Sequence, residues 1–438
     1  MNKTLRSSVA ALVASAGLMA VVSMPAGASA KKTITCYTLK NNVVKSKKVK
    51  AAHPACPKGW SKAKPKPKIG SLQGTGKSGD IDLVVPSSAT LAINGSSFDA
   101  PEVEATTSGS TGYTAGGKVS FSSYPAAGSG AGRTGITNGS LNIGFSDTPM
   151  SAAAGTLPSG VTESNYTQVP YILGGAIVGY NLAGISNLKL TAQEVAEIYD
   201  GAITQWSDSL IVNTNGGPSS TVGKALSNLT SNDTIKVIYR AASSGTTYAF
   251  TDYLHNAGGD GNAPSGNPME GSSGIWHAPN ILGAANNAAL ATDINANPGS
   301  IGYIEYSYLL IPGNAKIQSA QLQDKNGQWL KPTLQEVANA ALAAGTSITP
   351  DSFSIVNEPG NNVWPLATYS WAIVLKAQTS EATGEAIVKY LDWEAHYAQK
   401  ADAANVGYVP LPAAVAAYAR AQLQTVTYNG TTLLTQNS

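Results

Sequence analysis

Four segments set hydroxyl side chains in small-residue turns that lead into helical patterns: "INGSSFDAP" (93–101), "YPAAGSGAGR" (124–133), "IGFSDTP" (143–149) and "YRAASSGTT" (239–247). Three chemistries suit such groups. A serine can act as a nucleophile, which needs a base beside it. It can cap a helix by accepting a free N–H of the first turn. It can also join backbone N–H groups and the partial positive charge of a helix start in cradling an oxyanion. One such turn is ordinary in any α/β chain. Four of them, with Arg240 opening the last and Arg133 closing the second, point to a site built for an oxyanion.

The nucleophile reading lacks its partners. The chain has four histidines, His53, His255, His277 and His396, and no G-x-S-x-G elbow. Metal-assisted hydrolysis calls for clustered histidines and carboxylates, and no HxxxH or HxH pattern occurs. The stretch "SLQGTGKS" (71–78) mimics a phosphate loop, but Ser71 stands where the first glycine belongs. It also lacks the strand before it and the apolar helix after it that the motif needs. These residues predict binding rather than catalysis, with no metal, nucleotide or other cofactor and no nucleic acid.

The elements around the turns alternate. "ATLAING", "KVSFSSYPAAG", "LNIGFSD" and "DLVVP" read as short strands, and "VPYILGGAIVGYN" as a strand buried on both faces. "LTAQEVAEIYDG" is a helix with a capping box from Thr191 to Glu194 and a stop at Gly201. "IKVIYR" is a strand that feeds the helix "TTYAFTDYLHNAGG". Late strands "GSIGYIEYSYLL" and "TYSWAIVL" precede closing helices at 381–403 and 412–423. The pattern predicts an α/β fold with sheets covered on both sides. About 370 residues past the basic front segment exceed what one core usually fills, so two lobes are expected.

The front of the chain differs from the rest. Residues 1–30 carry a basic start, an apolar run and Ala28-Ser29-Ala30, the pattern of a secretory signal peptide. No cysteine follows the apolar run closely, so no lipid anchor is expected. Residues 31–60 read as a basic β-hairpin stapled by a disulfide between Cys36 and Cys56, the two cysteines of the chain. Residues 61–79, rich in Lys, Pro and Gly, read as a linker. Residues 31–68 hold twelve lysines and no acid, while past them 14 basic residues face all 26 acidic ones. The basic segment either binds an anionic cell-wall polymer or membrane surface through Lys31 to Lys68, or is a solvated tail.

The four turns, in this order and together with "LTAQEVAEIYDGAITQWSD", "GSIGYIEYSYL" and "GYVPLP", resemble the solute-binding proteins of phosphate-specific ABC transporters. The resemblance covers most of residues 91–412 and leaves out the basic front segment. It implies a two-lobed periplasmic-binding-protein-like (type II) fold. Lobe one would take residues 80–171 and 364–438, and lobe two residues 172–363. The hinge strands would be "YILGGAIVGYN" and "WPLATYSWAIV". It implies inorganic phosphate as ligand and ABC permease subunits as partners, in the periplasm or outside the cell. By matching position, Ser97, Ser129, Ser244 and Thr246 would offer hydroxyls, and Phe98 and Gly245 backbone N–H groups. Arg240 would be the cation and Asp147 the acceptor. Alternatives are another tetrahedral oxyanion, or a wall-associated scavenger or surface interaction protein acting through the basic segment.

Asp147 makes chemical sense beside an anion. An ionised carboxylate only accepts hydrogen bonds. Phosphate keeps a P–OH to donate, whereas sulfate at neutral pH has none and would set oxygen against oxygen. The alternative role for Asp147 is a helix N-cap before Thr148-Pro149. One position departs from the resemblance. Ala242 stands where the family has an Asp that braces the arginine, which leaves the orientation of Arg240 open. Arg133 is either a second cation near the site or a solvated turn residue.

Overall fold

The computed structural model describes residues 32–40, 43–62, 85, 87–108, 112–115, 117–150, 162–258, 274, 276–345, 348–351, 353–398 and 403–434. The leader at 1–30, the phosphate-loop look-alike at 71–78, most of the linker and most of "DLVVP" lie outside the described residues. The chain divides into two compact units, Met1–Lys40 with Val44–Pro65, and Asn41–Val43 with Lys66–Ser438.

The first unit is the expected hairpin. Strands β1 (Lys32–Lys40) and β2 (Val43–Ala51) form a two-stranded sheet. Cys36 in β1 is bonded to Cys56, just past β2. Thr33, Ile34 and Thr35 are β-branched and favour the extended chain. Two strands alone are marginal in water, and the disulfide restricts their unfolded state. Lys47, Lys48 and Lys50 are exposed.

In the second unit β3 (Ala89–Leu91) pairs in parallel with β5 (Val119–Phe121). The main sheet has eight strands. In chain order they are β4 (Ile93–Gly95), β6 (Ile143–Ser146), β7 (Tyr166–Asn181), β8 (Lys236–Arg240), β9 (Ile281–Ala284), β10 (Ser300–Glu305), β11 (Gln318–Ser319) and, beyond a small ribbon of β12 (Leu322–Gln323) and β13 (Trp329–Leu330), β14 (Ala367–Leu375). In space they run β4-β6-β14-β7-β10-β8-β9, with β11 also on β7. Strand β7 joins two half-sheets. Its Tyr166–Gly175 stretch pairs antiparallel with β14, and Ala176–Asn181 pairs antiparallel with β10. All 16 of its residues are buried, as its unbroken apolar run requires.

The β7–β14 ladder slips by one residue where Trp371 faces Pro170 and Ser370 faces Ile172. Proline has no N–H to give a ladder, and a bulge accommodates it. The residue left over by the slip is Tyr171 of β7, next to the pair that Ser370 makes with Ile172.

Helices cover the sheet: α1 (Ala100–Thr107), α2 (Ser129–Thr137), α3 (Ala192–Asp200), α4 (Ser209–Thr214), α5 (Thr221–Ser227), α6 (Gly245–Asn256), α7 (Asn287–Ala296), α8 (Leu334–Ala344), α9 (Glu381–Trp393) and a last helix Ala413–Leu423. The capping box at Thr191 and Glu194 forms, and Gly201 ends α3 at φ +84°. Tyr199, Phe250, Trp276 and Tyr303 pack as one aromatic cluster beneath α6, with Phe250 stacked on Tyr303 at 4.4 Å. Tyr303 then holds the turn above it, since its hydroxyl accepts from the Arg240 N–H (3.1 Å) and bonds Thr247 (2.8 Å).

Gly95 ends β4 at φ +148°, and a Cβ there would lie 2.2 Å from the Phe145 carbonyl oxygen. Gly95→Ala is expected to cost about 3 kcal/mol through strain and overpacking. Gly184→Ala, also at positive φ but with nothing within 4 Å of its Cβ, should cost only about 1 kcal/mol. Urea denaturation of both variants measures the difference.

Candidate functional site

The sequence-selected turns all leave the carboxyl ends of strands or open a helix. β4 ends at Gly95 and leads through 96–99 into α1; the turn at 124–133 opens α2; β6 ends at Ser146, just before Asp147; β8 ends at Arg240 and leads into α6; and a further turn, not among those selected, leads from the end of β9 at Ala284 into α7. In open α/β sheets this is the edge where ligands bind. The helix starts meet there. Ser129, first residue of α2, accepts through its Oγ from the N–H of Gly245, first residue of α6, at 3.0 Å. Ser97 Oγ, just before α1, accepts from the N–H of Asn287, first residue of α7, at 3.1 Å. Four helix N-termini therefore bring N–H groups and partial positive charge to one place.

Arg240 is the hub. Its Nη1 donates to Ser97 Oγ at 2.9 Å, Ser244 Oγ at 2.8 Å and Asn287 Oδ1 at 2.6 Å, and its Nη2 to the Ala285 carbonyl at 3.4 Å. Ser244 also accepts from the Thr247 N–H and caps α6, so the cap and the arginine contact share one oxygen. Thr246 Oγ1 accepts from Asn287 Nδ2 at 2.8 Å and donates to Glu305 Oε1 at 3.2 Å. Asp147 donates its backbone N–H to Ser129 Oγ at 3.2 Å. The Phe98 N–H donates to Ser96 Oγ at 3.0 Å, and its ring is buried. The structure thus brings Ser97, Ser129, Asp147, Arg240, Ser244, Gly245 and Thr246 into one region, with the Phe98 backbone adjoining.

Two expectations about Asp147 and Arg240 resolve here. No described helix starts at Asp147; its side chain accepts from Ser370 Oγ at 2.8 Å instead, while Oδ2 bonds no described group. Oδ2 presses on Gly245, where a Cβ would come within 2.2 Å of it, so the backbone can approach only because residue 245 is glycine. Arg240 lacks the bracing Asp, but Asn287 takes that place and is itself held by Glu305. Arg133 is buried rather than solvated, with Nη2 donating to Ser243 Oγ at 3.5 Å and Nε and Nη1 bonding no described group.

Four residues of the site stood outside the sequence reading: Asp99, Asn287, Glu305 and Ser370. Asn287 follows the capping Asn286 and looked like more of the same cap. Glu305 ends a strand and Ser370 lies mid-strand, each far in sequence from the turns. Only Asp99, inside "FDAP", carried a local signal.

The electrostatics are those of a dry, crowded site. Burial pushes Asp147 up to about 6, against the pull of the Ser96 and Ser370 hydroxyls and of Arg240 and Arg133. Burial pushes Glu305 up to about 8, with the charge of Asp147 adding to it. Burial, then the charge of Asp147, holds Asp99 well above the usual carboxylate range. Desolvation lowers both arginines, which their acidic neighbours oppose. Hydroxyls, N–H groups, two guanidinium groups and one open carboxylate oxygen together suit an oxyanion that can also donate a proton.

Comparison with known proteins points the same way. A family model described as a PBP superfamily domain matches residues 83–393. The phosphate-binding protein PstS of Xylella fastidiosa is 30% identical over 350 residues, covering 78% of this chain and 88% of that one. PstS of Pasteurella multocida is 31% identical over 313 residues, covering 71% and 83%. Among solved structures, the phosphate-binding protein of Stenotrophomonas maltophilia shares the fold, with a TM-score of 0.56 at 19% identity over 76% of this chain and 93% of that one.

The buried acids have a consequence for stability. Carboxyls in the unfolded chain release protons near pH 4, whereas Asp147 and Glu305 hold theirs to about 6 and about 8. The stabilisation from these held protons is complete below about pH 4 and is lost as pH rises through those values. The melting temperature in oxyanion-free buffer is expected to fall from pH 5 to 9. Glu305→Gln should flatten the part of that fall between pH 5 and 8; an unaltered slope would contradict a protonated Glu305.

Proposed function

The chain belongs to the phosphate-binding solute-binding proteins of the PBP superfamily, and from that membership we propose that it captures inorganic phosphate between two lobes and delivers it to an ABC permease. The observation that carries this reading is the pairing of a ring of donors with one open buried acceptor. Ser97, Ser129, Ser244, Thr246, Arg240 and Gly245 are tied by hydrogen bonds to one another or to Asn287 and Asp147, and Asp147 Oδ2, which bonds no described group, lies against Gly245. Phosphate meets both halves of that arrangement, because its oxygens accept and its P–OH donates. Sulfate meets only the first. A site built around a required donor rejects an analogue lacking it by about 10⁴–10⁵.

The proposed lobes are residues 80–171 with 364–438, and residues 172–363. They supply the cradle from both sides: Ser97, Ser129 and Asp147 from the first, Arg240, Ser244, Gly245 and Thr246 from the second. β7 and β14 would be the hinge strands. The chain passes between half-sheets where Ala176 donates to the Leu366 carbonyl, next to Gly174 and Gly175, in agreement with such a hinge. Phosphate favours the closed form because only that form lets both lobes bond it.

The protein acts outside the cytoplasm and has no catalytic role. The site serines bond Arg240 and backbone N–H groups, while His277 and His396 pair with Asp200 and Asp392. Serine without a base is a hydrogen-bonding group, not a nucleophile. The acidic balance of the chain past residue 68 does not oppose anion binding, since oriented dipoles dominate at contact distance.

Calorimetric titration of the ligand-stripped protein tests the reading. Phosphate is expected to bind tightly at neutral pH and sulfate to give no heat; a folded, empty protein that ignores phosphate would overturn it. Asp147→Asn replaces the open acceptor with a group that can donate, so discrimination against sulfate should shrink by about 10–100-fold. Asn287→Ala unhooks Arg240 from its brace and should weaken phosphate binding by a similar factor while leaving the sulfate ratio nearly unchanged.

A further inference from the structure

Asp99 and Asp147 share Ser370. The Ser370 Oγ lies 2.9 Å from Asp99 Oδ2 and 2.8 Å from Asp147 Oδ1, and all three side chains are fully buried. A serine hydroxyl carries one hydrogen. It can donate to one carboxyl only, so the other contact is a hydrogen bond only if that carboxyl brings a proton of its own. Without that proton the site would set two buried anions on either side of one hydroxyl.

The surroundings decide which carboxyl holds it. Asp147 faces Arg240 and Arg133 as well as the hydroxyls of Ser96 and Ser370. The charged groups facing Asp99 are Asp147, Glu305 and Glu102, all acids, and the hydroxyls of Tyr124 and Tyr408 lie near it. Asp99 also forgoes the usual reason for an aspartate at this position. It stands at the N-cap of α1, yet its side chain accepts no capping hydrogen bond, and Oδ1 bonds no described group. The side chain is turned away from the capping position and meets Ser370 of β14 instead.

We propose that Asp99 is a neutral carboxylic acid and the positioning residue of the site, donating to Ser370, which donates to Asp147. The directed chain keeps Asp147 ionised and fixes its carboxylate so that Oδ2 is the oxygen left for the ligand's P–OH. This inference rests on the phosphate reading for its ligand but not for the state of Asp99. Burial and the charges of Asp147, Glu305 and Glu102 favour the proton on Asp99, and the Ser370 contact opposes them. When alkaline pH strips Asp99, two carboxylates compete for one hydroxyl and a second negative charge faces the bound anion.

The test uses the full chain with inorganic phosphate as probe. Asp99→Leu, which cannot donate to Ser370, is expected to weaken phosphate binding about 10–100-fold at neutral pH, and Asp99→Asn, whose amide can, to restore most of it. The ratio of native to Asp99→Asn affinity should fall as pH rises from neutral to alkaline, because only the native site gains a charge. An affinity gain of about tenfold or more in Asp99→Asn would mean that a buried charge had been removed, and a loss equal to that of Asp99→Leu would mean that Asp99 acts as an acceptor; either overturns the proposal. Infrared spectra of the phosphate-free protein give an independent readout, with Glu305→Gln as reference for another buried acid of the site. Asp99→Asn should remove one protonated-carboxyl C=O band, and an unchanged band would refute the neutral acid. If native protein binds no phosphate, the functional reading fails while this band still reports on Asp99.

Discussion

A carboxyl taken out of water must find a cation, a set of donors or a proton, because an unpaired charge in a dry interior costs several kcal/mol. Asp99, Asp147 and Glu305 meet that demand in three ways within one site. Asp147 has two guanidinium groups and two hydroxyls in reach. Glu305 accepts from Thr246 and Asn287 and is held protonated to about 8. Among the described residues the Asp99 side chain bonds Ser370 alone, amid acidic neighbours. The rest of the site follows from keeping one acceptor open while neutralising the others.

The same constraint explains the arginine. A buried guanidinium needs acceptors in fixed directions, and the loss of the usual bracing acid at Ala242 would leave it underbonded. Asn287 supplies a neutral acceptor, and Glu305 fixes the amide so that its oxygen faces Arg240. The amide must then point one way only: its nitrogen serves Thr246 and Glu305, its oxygen the arginine. A brace of this kind adds no full charge next to Arg240, so more of the arginine's field reaches an anion.

Packing turns these contacts into a site. The buried strand β7 carries both half-sheets, and its slip at Pro170 lies beside the pair Ser370 and Ile172. Glycines admit backbone where a side chain would collide: Gly95 against the Phe145 carbonyl, Gly245 against Asp147. The aromatic cluster beneath α6 fixes the turn after β8 through Tyr303. On the proposed function, oxyanion recognition is distributed: rigid strands set the positions, helix starts supply N–H groups, and the buried acids supply direction.

Much of this was legible in the chain before folding. The turns at 93–101, 124–133, 143–149 and 239–247 carry their donors locally, and a helix start shows itself by Ser, Thr and Gly at neighbouring positions. The α3 capping box, the buried β7 run and the disulfide hairpin were readable for the same reason, since each depends on residues close in sequence or on composition. What the tertiary structure decided are the pairings across long separations. Arg240 to Asn287, Asp147 to Ser370 and Asp99 to Ser370 join residues 47, 223 and 271 positions apart. Nothing in the local pattern around a mid-strand serine or a strand-end glutamate distinguishes it from core filling. Its role comes from which charges the fold buries beside it, and burial is a property of the packed chain, not of any segment of it.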